Sequence, residues 1–315
     1  MTVYVIRRLL YLIPIMIFVG TFVFLLIHIA PGDPTSYLLS EEATEIQRQA
    51  MRERLGLDQP MYVQYFRWFS QLIRGDLGES ISLRQPVSQA LIQRLEPTFI
   101  MAILALSIAC LIGIPGGIIA ALKHDTYIDQ ILMSIAMFGL CIPNFWLALM
   151  LALLFGVYLG WVPLVGYTPF LEDPVQCIIY LLIPAFVLGF SGRSAAISRL
   201  TRANVLETMG KDYIRTARSK GLSERVVIFK HALRNAMLPT ITVIGASLGG
   251  LLGGAVIVEN IFSIPGIGQL LVASVHRRDY PALQGAVIFV AAIFVLANLA
   301  VDITYVLIDP RIRYD

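Results

Sequence analysis

Six runs of apolar residues, near 9–30, 98–122, 128–162, 177–198, 236–258 and 282–308, are each close to or above the ~20 residues a helix needs to cross a bilayer. A chain with this pattern is expected to be all-α and polytopic, with six transmembrane helices. Composition agrees: 57% of residues are hydrophobic and 14% charged, with a mean hydropathy of +0.75, against about a quarter charged in soluble domains. The third run is too long for one straight span, so a bend is expected near Pro143, which lacks a backbone donor. Arg7 and Arg8 precede the first run as they would in a secretory leader. That run is too long for a leader's apolar stretch, and Pro31, Gly32, Asp33 and Pro34 follow it where a cleavage site of small residues would stand.

Between 199 and 235 the chain turns polar and basic. Nine cations (Arg199, Arg202, Lys211, Arg215, Arg218, Lys220, Arg225, Lys230, Arg234) face three acids (Glu207, Asp212, Glu224). Such an excess beside spans reads as cytoplasmic. Arg7 and Arg8, Lys123, Arg311 and Arg313 fall on the same side, so both termini are expected to be cytoplasmic in a multi-pass inner-membrane protein. The expected organisation is a first helix at 1–30, an extracytoplasmic helical segment at 31–97, a five-helix core at 98–308 containing the polar loop 199–235, and a cytoplasmic tail at 309–315. Within 31–97, Ser40 caps one expected helix with Glu41 and Glu42 in its first turn and Gly56 at its end. A second should follow Pro60 and stop at Gly75, with Tyr62, Phe66, Phe69 and Ile73 on a face that lies on the membrane surface or on neighbouring spans.

A net charge of +3 spread beside membrane spans gives no footing for nucleic acid. Cys110 and Cys141 lie inside apolar runs and Cys177 stands alone, which excludes a disulfide framework and metal-ligand spacing. Gly210 and Lys211 form the one Gly-Lys pair, with Val205 and Asp212 where a phosphate-binding loop needs glycine and a hydroxyl. The chain is therefore not its own ATPase and is expected to bind no cofactor.

Gly245, Gly249 and Gly253, flanked by Ala246, Gly250 and Gly254, form small-residue stripes on the fifth span. They suit close packing within the subunit or a moving or subunit-pairing surface along a path. Asn298 and Asp302 share a face of the last span. With Arg193 they are read first as polar glue between helices, Asn298 and Asp302 also as residues lining a path.

Several separated strings carry a family resemblance: Pro31–Pro34, Gly56–Pro60, Asp212–Leu222 (DYIRTARSKGL), His231–Pro239 (HALRNAMLP), Glu259–Gly268 (ENIFSIPGIG), Arg278–Pro281 (RDYP) and Asp309–Tyr314 (DPRIRY). Together, nearly end to end, the chain resembles the permease subunit of the dipeptide/oligopeptide/nickel family of bacterial ATP-binding-cassette importers, with a type I, MetI-like core. The resemblance implies import of di- or oligopeptides, or else of nickel complexes or glutathione. It implies a second homologous permease subunit, two cytoplasmic ATPases that use ATP and Mg, and an extracytoplasmic solute-binding protein. It also implies that a short helix over Arg215, Thr216, Ala217, Arg218, Ser219, Lys220, Gly221 and Leu222 docks into an ATPase cleft. Small Thr216, Ala217, Ser219 and Gly221 suit a groove, and Arg215, Arg218 and Lys220 suit acidic rims. Where the general importer motif has Glu-Ala-Ala, this chain has Arg215, Thr216 and Ala217, as suits the peptide/nickel branch.

Two rivals are weaker. Gly189–Gly192 spells G-F-S-G, but an intramembrane serine protease needs a histidine to take the proton of Ser191, and the last span has none. An ion-coupled secondary transporter needs ionisable groups deep in its spans, and few are present.

Overall fold

The computed structural model describes residues 2–29, 58–163 and 165–308, with isolated positions between 44 and 53; at 2–9, 26–29, 248, 252, 254 and 301–308 it describes backbone alone. Among the described residues the chain is helical, its one β element being an isolated bridge between Glu79 and Pro86.

The helices are α1 (Thr2–Ile29), α2 (Met61–Ile73), α3 (Val87–Leu122), α4 (Tyr127–Cys141), α5 (Asn144–Leu151, continued by wide turns Ala152–Tyr158), α6 (Pro174–Gly189), α7 (Ala195–Met209), α8 (Asp212–Ser219), α9 (Leu233–Ile261, led in by Glu224–Val226 and Val227–Ala232), α10 (Ile267–His276) and α11 (Tyr280–Ile308). Val87–Leu122, Pro174–Met209 and Tyr280–Ala300 are each long and apolar enough to cross a membrane. Two bent pairs, Tyr127–Cys141 with Asn144–Tyr158 at 100° and Glu224–Leu251 with Ala255–Ile261 at 52°, are long and apolar enough when each is taken together. The first expected span is the 28-residue α1.

The bend expected near Pro143 is present. Ile142 is forced extended (ψ 124°) by the proline after it, and Pro143 opens α5. Asp173 caps α6, its carboxylate accepting from the amides of Val175 and Gln176 at 3.0 Å each, with Pro174 in the first turn. Two boundaries differ from the hydropathy reading. Helix α3 begins at Val87, eleven residues before the apolar run, and the polar segment 199–235 leaves the long helices only from 210 to 223, where the short α8 stands, since α7 runs to Met209 and helix resumes at Glu224. Charge hid this continuation. Ile197, Thr201, Val205 and Thr208 are buried at helical spacing while the charged groups share the other face.

The chain divides into two compact units. The first comprises 1–96 and 265–293. Here Val87, Leu91, Ile267, Leu270, Ala282 and Ala286 form a buried cluster. Beside it Asp279 is enclosed, accepting hydrogen bonds from the hydroxyls of Ser80 (2.6 Å) and Ser82 (2.7 Å) and from the amides of Ser82 (2.9 Å) and Ala282 (3.2 Å). Burial pushes this carboxyl up, but those donors outweigh it and hold it below the ordinary carboxylate value. Helix α2 begins after Pro60, and Gly75 follows it in a left-handed conformation (φ +80°). Tyr65 and Trp68 pack on Phe24 of α1, with ring centroids 5.3 and 5.6 Å away, while Tyr62, Phe66 and Ile73 stay exposed. The helix is aromatic on nearly all sides, so periodicity did not choose between faces. Thr44 and Gln47 exchange the bonds of a capping box four residues after Ser40; Ser40, Glu41, Glu42 and Gly56 lie outside the described residues.

The second unit comprises 97–264 and 294–315. Its main core joins Met101, Leu147, Leu181, Leu188, Leu251 and Val258, among others. Ala105, Ala109, Gly113, Gly117 and Ala121 of α3 are all buried. A Cβ on Gly113 would lie 2.8 Å from the Ser194 carbonyl, and one on Gly117 would overlap the Ser198 carbonyl. Gly189 of α6 likewise meets the Ala105 carbonyl.

Candidate functional site

Helix α8 is exposed over most of its surface and still firmly fastened. Its eight residues follow α7 through Gly210 and Lys211, and only Ile214 and Ala217 turn inward. Those two bury against Val227 and Ala232 in the lead-in to α9. Polar bonds complete the attachment: Asn235 donates to the Tyr213 hydroxyl (3.0 Å), and the Arg218 guanidinium pairs with Glu224 (2.8 Å). Asp212 in the first turn and Arg218 in the last complement the helix dipole.

The expected helix Arg215–Leu222 is thus shifted three residues earlier. Lys220 caps it, and Gly221 follows at φ +76°, a left-handed stop that suits glycine. Nothing lies within 4 Å of a Cβ placed there, so any constraint at Gly221 comes from its backbone. Ala217, expected in a partner's groove, is 7% exposed and holds α8 to its own chain. Arg218 is engaged by Glu224 rather than free for a rim. Thr216 and Ser219 donate to the carbonyls of Asp212 and Arg215, each at 3.0 Å, and keep their outer surfaces open. Arg215, Thr216, Ser219, Lys220, Gly221 and Leu222 form the exposed face. Ile214, Tyr213 and Asn235 went unread in the sequence, although Ile214 and Ala217 are one turn apart.

A second clamp lies where α4 begins. Asp129, 4% exposed, receives Arg202 of α7 through Nε (2.7 Å) and Nη2 (2.6 Å), a bidentate pair. His124 and Asp125 stand close enough to share a metal ion with Asp129, but the guanidinium already occupies both Asp129 oxygens. Deeper, Glu259 is fully buried and accepts from the Thr98 hydroxyl at 2.6 Å.

The residues singled out on the spans separate. Gly249 faces inward, where a Cβ would come 2.8 Å from the Phe294 ring and 3.7 Å from the Asn298 carboxamide. Gly253 is exposed with open space beside it, and Gly245 is half-buried. Asp302 lies on α11, its side chain outside the description. Ser191 sits in a break between α6 and α7 where the backbone leaves helical geometry (Ser191 ψ 112°, Gly192 φ +77°). Its buried hydroxyl lies between the Val187 carbonyl (2.6 Å) and the Asn144 side chain, and no imidazole is among its partners. That is a helix-break contact rather than an activated nucleophile.

Residues 113–314 match the family described as binding-protein-dependent transport system inner membrane component, and residues 1–102 match its N-terminal counterpart. A putative peptide transport system permease protein of Brucella abortus (strain 2308) is 43% identical over 315 residues, 100% of each chain. A probable peptide ABC transporter permease protein of Sinorhizobium fredii (strain NBRC 101917 / NGR234) is 40% identical over 314 residues, also 100% of each. The glutathione transport system permease protein GsiC of Escherichia coli (strain K12) is 42% identical over 311 residues, 99% of each. Among solved structures, an inward-facing MetNI methionine ABC transporter chain matches with a TM-score of 0.58 at 15% identity, over 70% of this chain and 97% of that one. At that identity the likeness is one of fold.

Proposed function

Because the chain belongs to the family of binding-protein-dependent transport system inner membrane components, we propose that it forms half of the translocation pathway of an ATP-driven importer of di- or oligopeptides. Membership makes it a multi-pass inner-membrane transport subunit of an ABC complex, with ATP hydrolysis left to other subunits. In the proposed assembly a second homologous permease completes the path, two cytoplasmic ATPases bind ATP and Mg, and an extracytoplasmic protein delivers cargo. Both termini and α8 face the cytoplasm, residues 31–97 face outside, and 98–308 form the permease core.

The observation that carries this reading is α8: exposed on one side, fastened on the other to the ends of two spanning helices. Closure of the ATPases displaces α8 as a rigid piece. The Ile214, Ala217 and Arg218 contacts pass that displacement to α9, the short Gly210–Lys211 joint passes it to α7, and the Asp129–Arg202 clamp carries it into α4. The spans then exchange between two packings that cargo and nucleotide favour unequally. Single cysteines at Ser219 or Leu222 should cross-link to the ATPase in assembled complexes. Gly221→Leu, strained by roughly 1–2 kcal/mol at positive φ, should abolish uptake with the complex still formed. Full uptake by Gly221→Leu, or by the permease without an ATPase, overturns the reading.

The 42% identity to a glutathione permease supports a second cargo, glutathione, itself a small peptide. Competition separates the two: unlabelled glutathione suppresses uptake of a labelled dipeptide only if both use this path.

A further inference from the structure

Arg193 is a cation inside the long spanning helix Pro174–Met209, and the contacts described so far give it no role. Its Nη1 donates to the Leu188 carbonyl at 3.0 Å and its Nη2 to the Gly250 carbonyl of α9 at 2.8 Å. Among the described residues no carboxylate pairs with it. Two carbonyls leave three of the five guanidinium N–H donors unused and the charge unneutralised.

A charge in the hydrocarbon region is costly, and such groups face a bundle interior or a water-filled cavity rather than lipid. The guanidinium folds back toward Leu188, away from α7 and its polar surface. A lipid-facing arginine would extend the other way, toward the nearer polar boundary. The ground beside it is open. Gly250 and Gly253 are exposed, a Cβ on Gly253 meets nothing within 4 Å, and the one neighbour of a Cβ on Gly250 is Arg193 Nη2 at 3.9 Å. At the same level the break at Ser191 and Gly192 leaves α7 to start afresh, turning the positive end of its dipole toward the same region.

We propose that Arg193 is a binding group on the translocation path that takes a carboxylate of the passing cargo. The assignment rests on the transport reading and deepens it. Peptides and glutathione both carry carboxylates, so it holds for either cargo. A carboxylate arriving at the guanidinium uses its spare donors and neutralises its charge. The two carbonyl contacts keep the cation partly satisfied when the site is empty, so cargo binds well enough to enter and weakly enough to leave.

The test uses the complete complex in vesicles, with ATPases, second permease and binding protein, and labelled dialanine against its C-terminal amide. The ratio of acid to amide uptake is compared between wild type and Arg193→Gln, so that the binding protein's own preference divides out. Arg193→Gln should lower acid uptake about tenfold, the scale of one charge-assisted contact, with amide uptake within about twofold. Equal losses of both would make Arg193 a strut between α7 and α9 and overturn the inference, as would no change. Gly250→Asp gives an independent reading, and carries the test if Arg193→Gln does not assemble. It places a carboxylate within reach of the guanidinium and should cut acid uptake selectively; equal loss of both cargoes overturns the inference. If wild type imports neither compound, the peptide reading itself falls and the inference with it.

Discussion

Along α3, Ala105, Ala109, Gly113, Gly117 and Ala121 recur every four residues and all are buried, with the backbone carbonyls of Ser194 and Ser198 against Gly113 and Gly117. Along α9, Gly245, Gly249 and Gly253 recur with the same period, yet of the three Gly249 alone is buried, against the Phe294 ring, and Gly253 faces open space. Identical spacing therefore serves two ends. It states that another backbone is able to approach; what approaches depends on the rest of the fold. In α3 the approach is complete within the chain and fuses α3, α6 and α7 into one block. In α9 it is half complete, and the exposed Gly250 beside Gly249 has Arg193 as its neighbour. Under the proposed function, that exposed half is what a second membrane subunit would face across the path.

The contrast is open to attack in order of expected effect. Gly117→Leu drives side-chain atoms into the Ser198 carbonyl and Thr201, and should cost about 3 kcal/mol or more; loss of the monodisperse peak in detergent and of complex assembly would register it. A wild-type melting temperature would show that α3 is not fused to α7. Asp279→Asn probes a region held by polar groups instead of close packing, and should cost about 1–3 kcal/mol at neutral pH. The Asp279 carboxyl is depressed in the folded chain, so its contribution is fully present above the unfolded value of about 3.9 and is lost as pH falls through the lower folded value. Melting curves of wild type should converge on those of the variant in acid, whereas the Gly117→Leu defect should be independent of pH. Gly249→Ala meets only a ring that is able to turn, and should cost about 1 kcal/mol. Gly253→Leu should leave the isolated subunit within about 0.5 kcal/mol of wild type while lowering co-purification of the second membrane subunit. Unchanged co-purification would move the pairing surface elsewhere.

Much of this was legible beforehand, for identifiable reasons. Spans announce themselves by uninterrupted hydropathy, and Pro143 by its missing donor. The extent of α7 was not, because Arg199 and Arg202 read as loop when viewed as charge and as one side of a helix when viewed by period. The α3 stripe was missed although the same four-residue rule had been applied to α9; alanines dilute the pattern that glycines make plain. At α8 the expected short helix is present but lies three residues earlier than its reading, since a left-handed Gly221 ends a helix two residues before itself. Which of those residues faced inward needed the partners Val227 and Ala232, which lie across a turn that sequence alone does not fold.

Helix α7 is 15 residues long, so it holds α8 roughly 22 Å from the break at Gly192, at about 1.5 Å per residue. Because α3, α6 and α7 are packed into one block, they would turn together, and a turn of about ten degrees about an axis near Gly192 would sweep the far tip through roughly 4 Å, the geometry of a rod of that length. Arg193, one residue from that axis, would scarcely travel. Under the proposed function, the block would thus gear a large stroke at α8 to near-stillness at the cation, and a solute in transit would feel the walls change around a fixed charge.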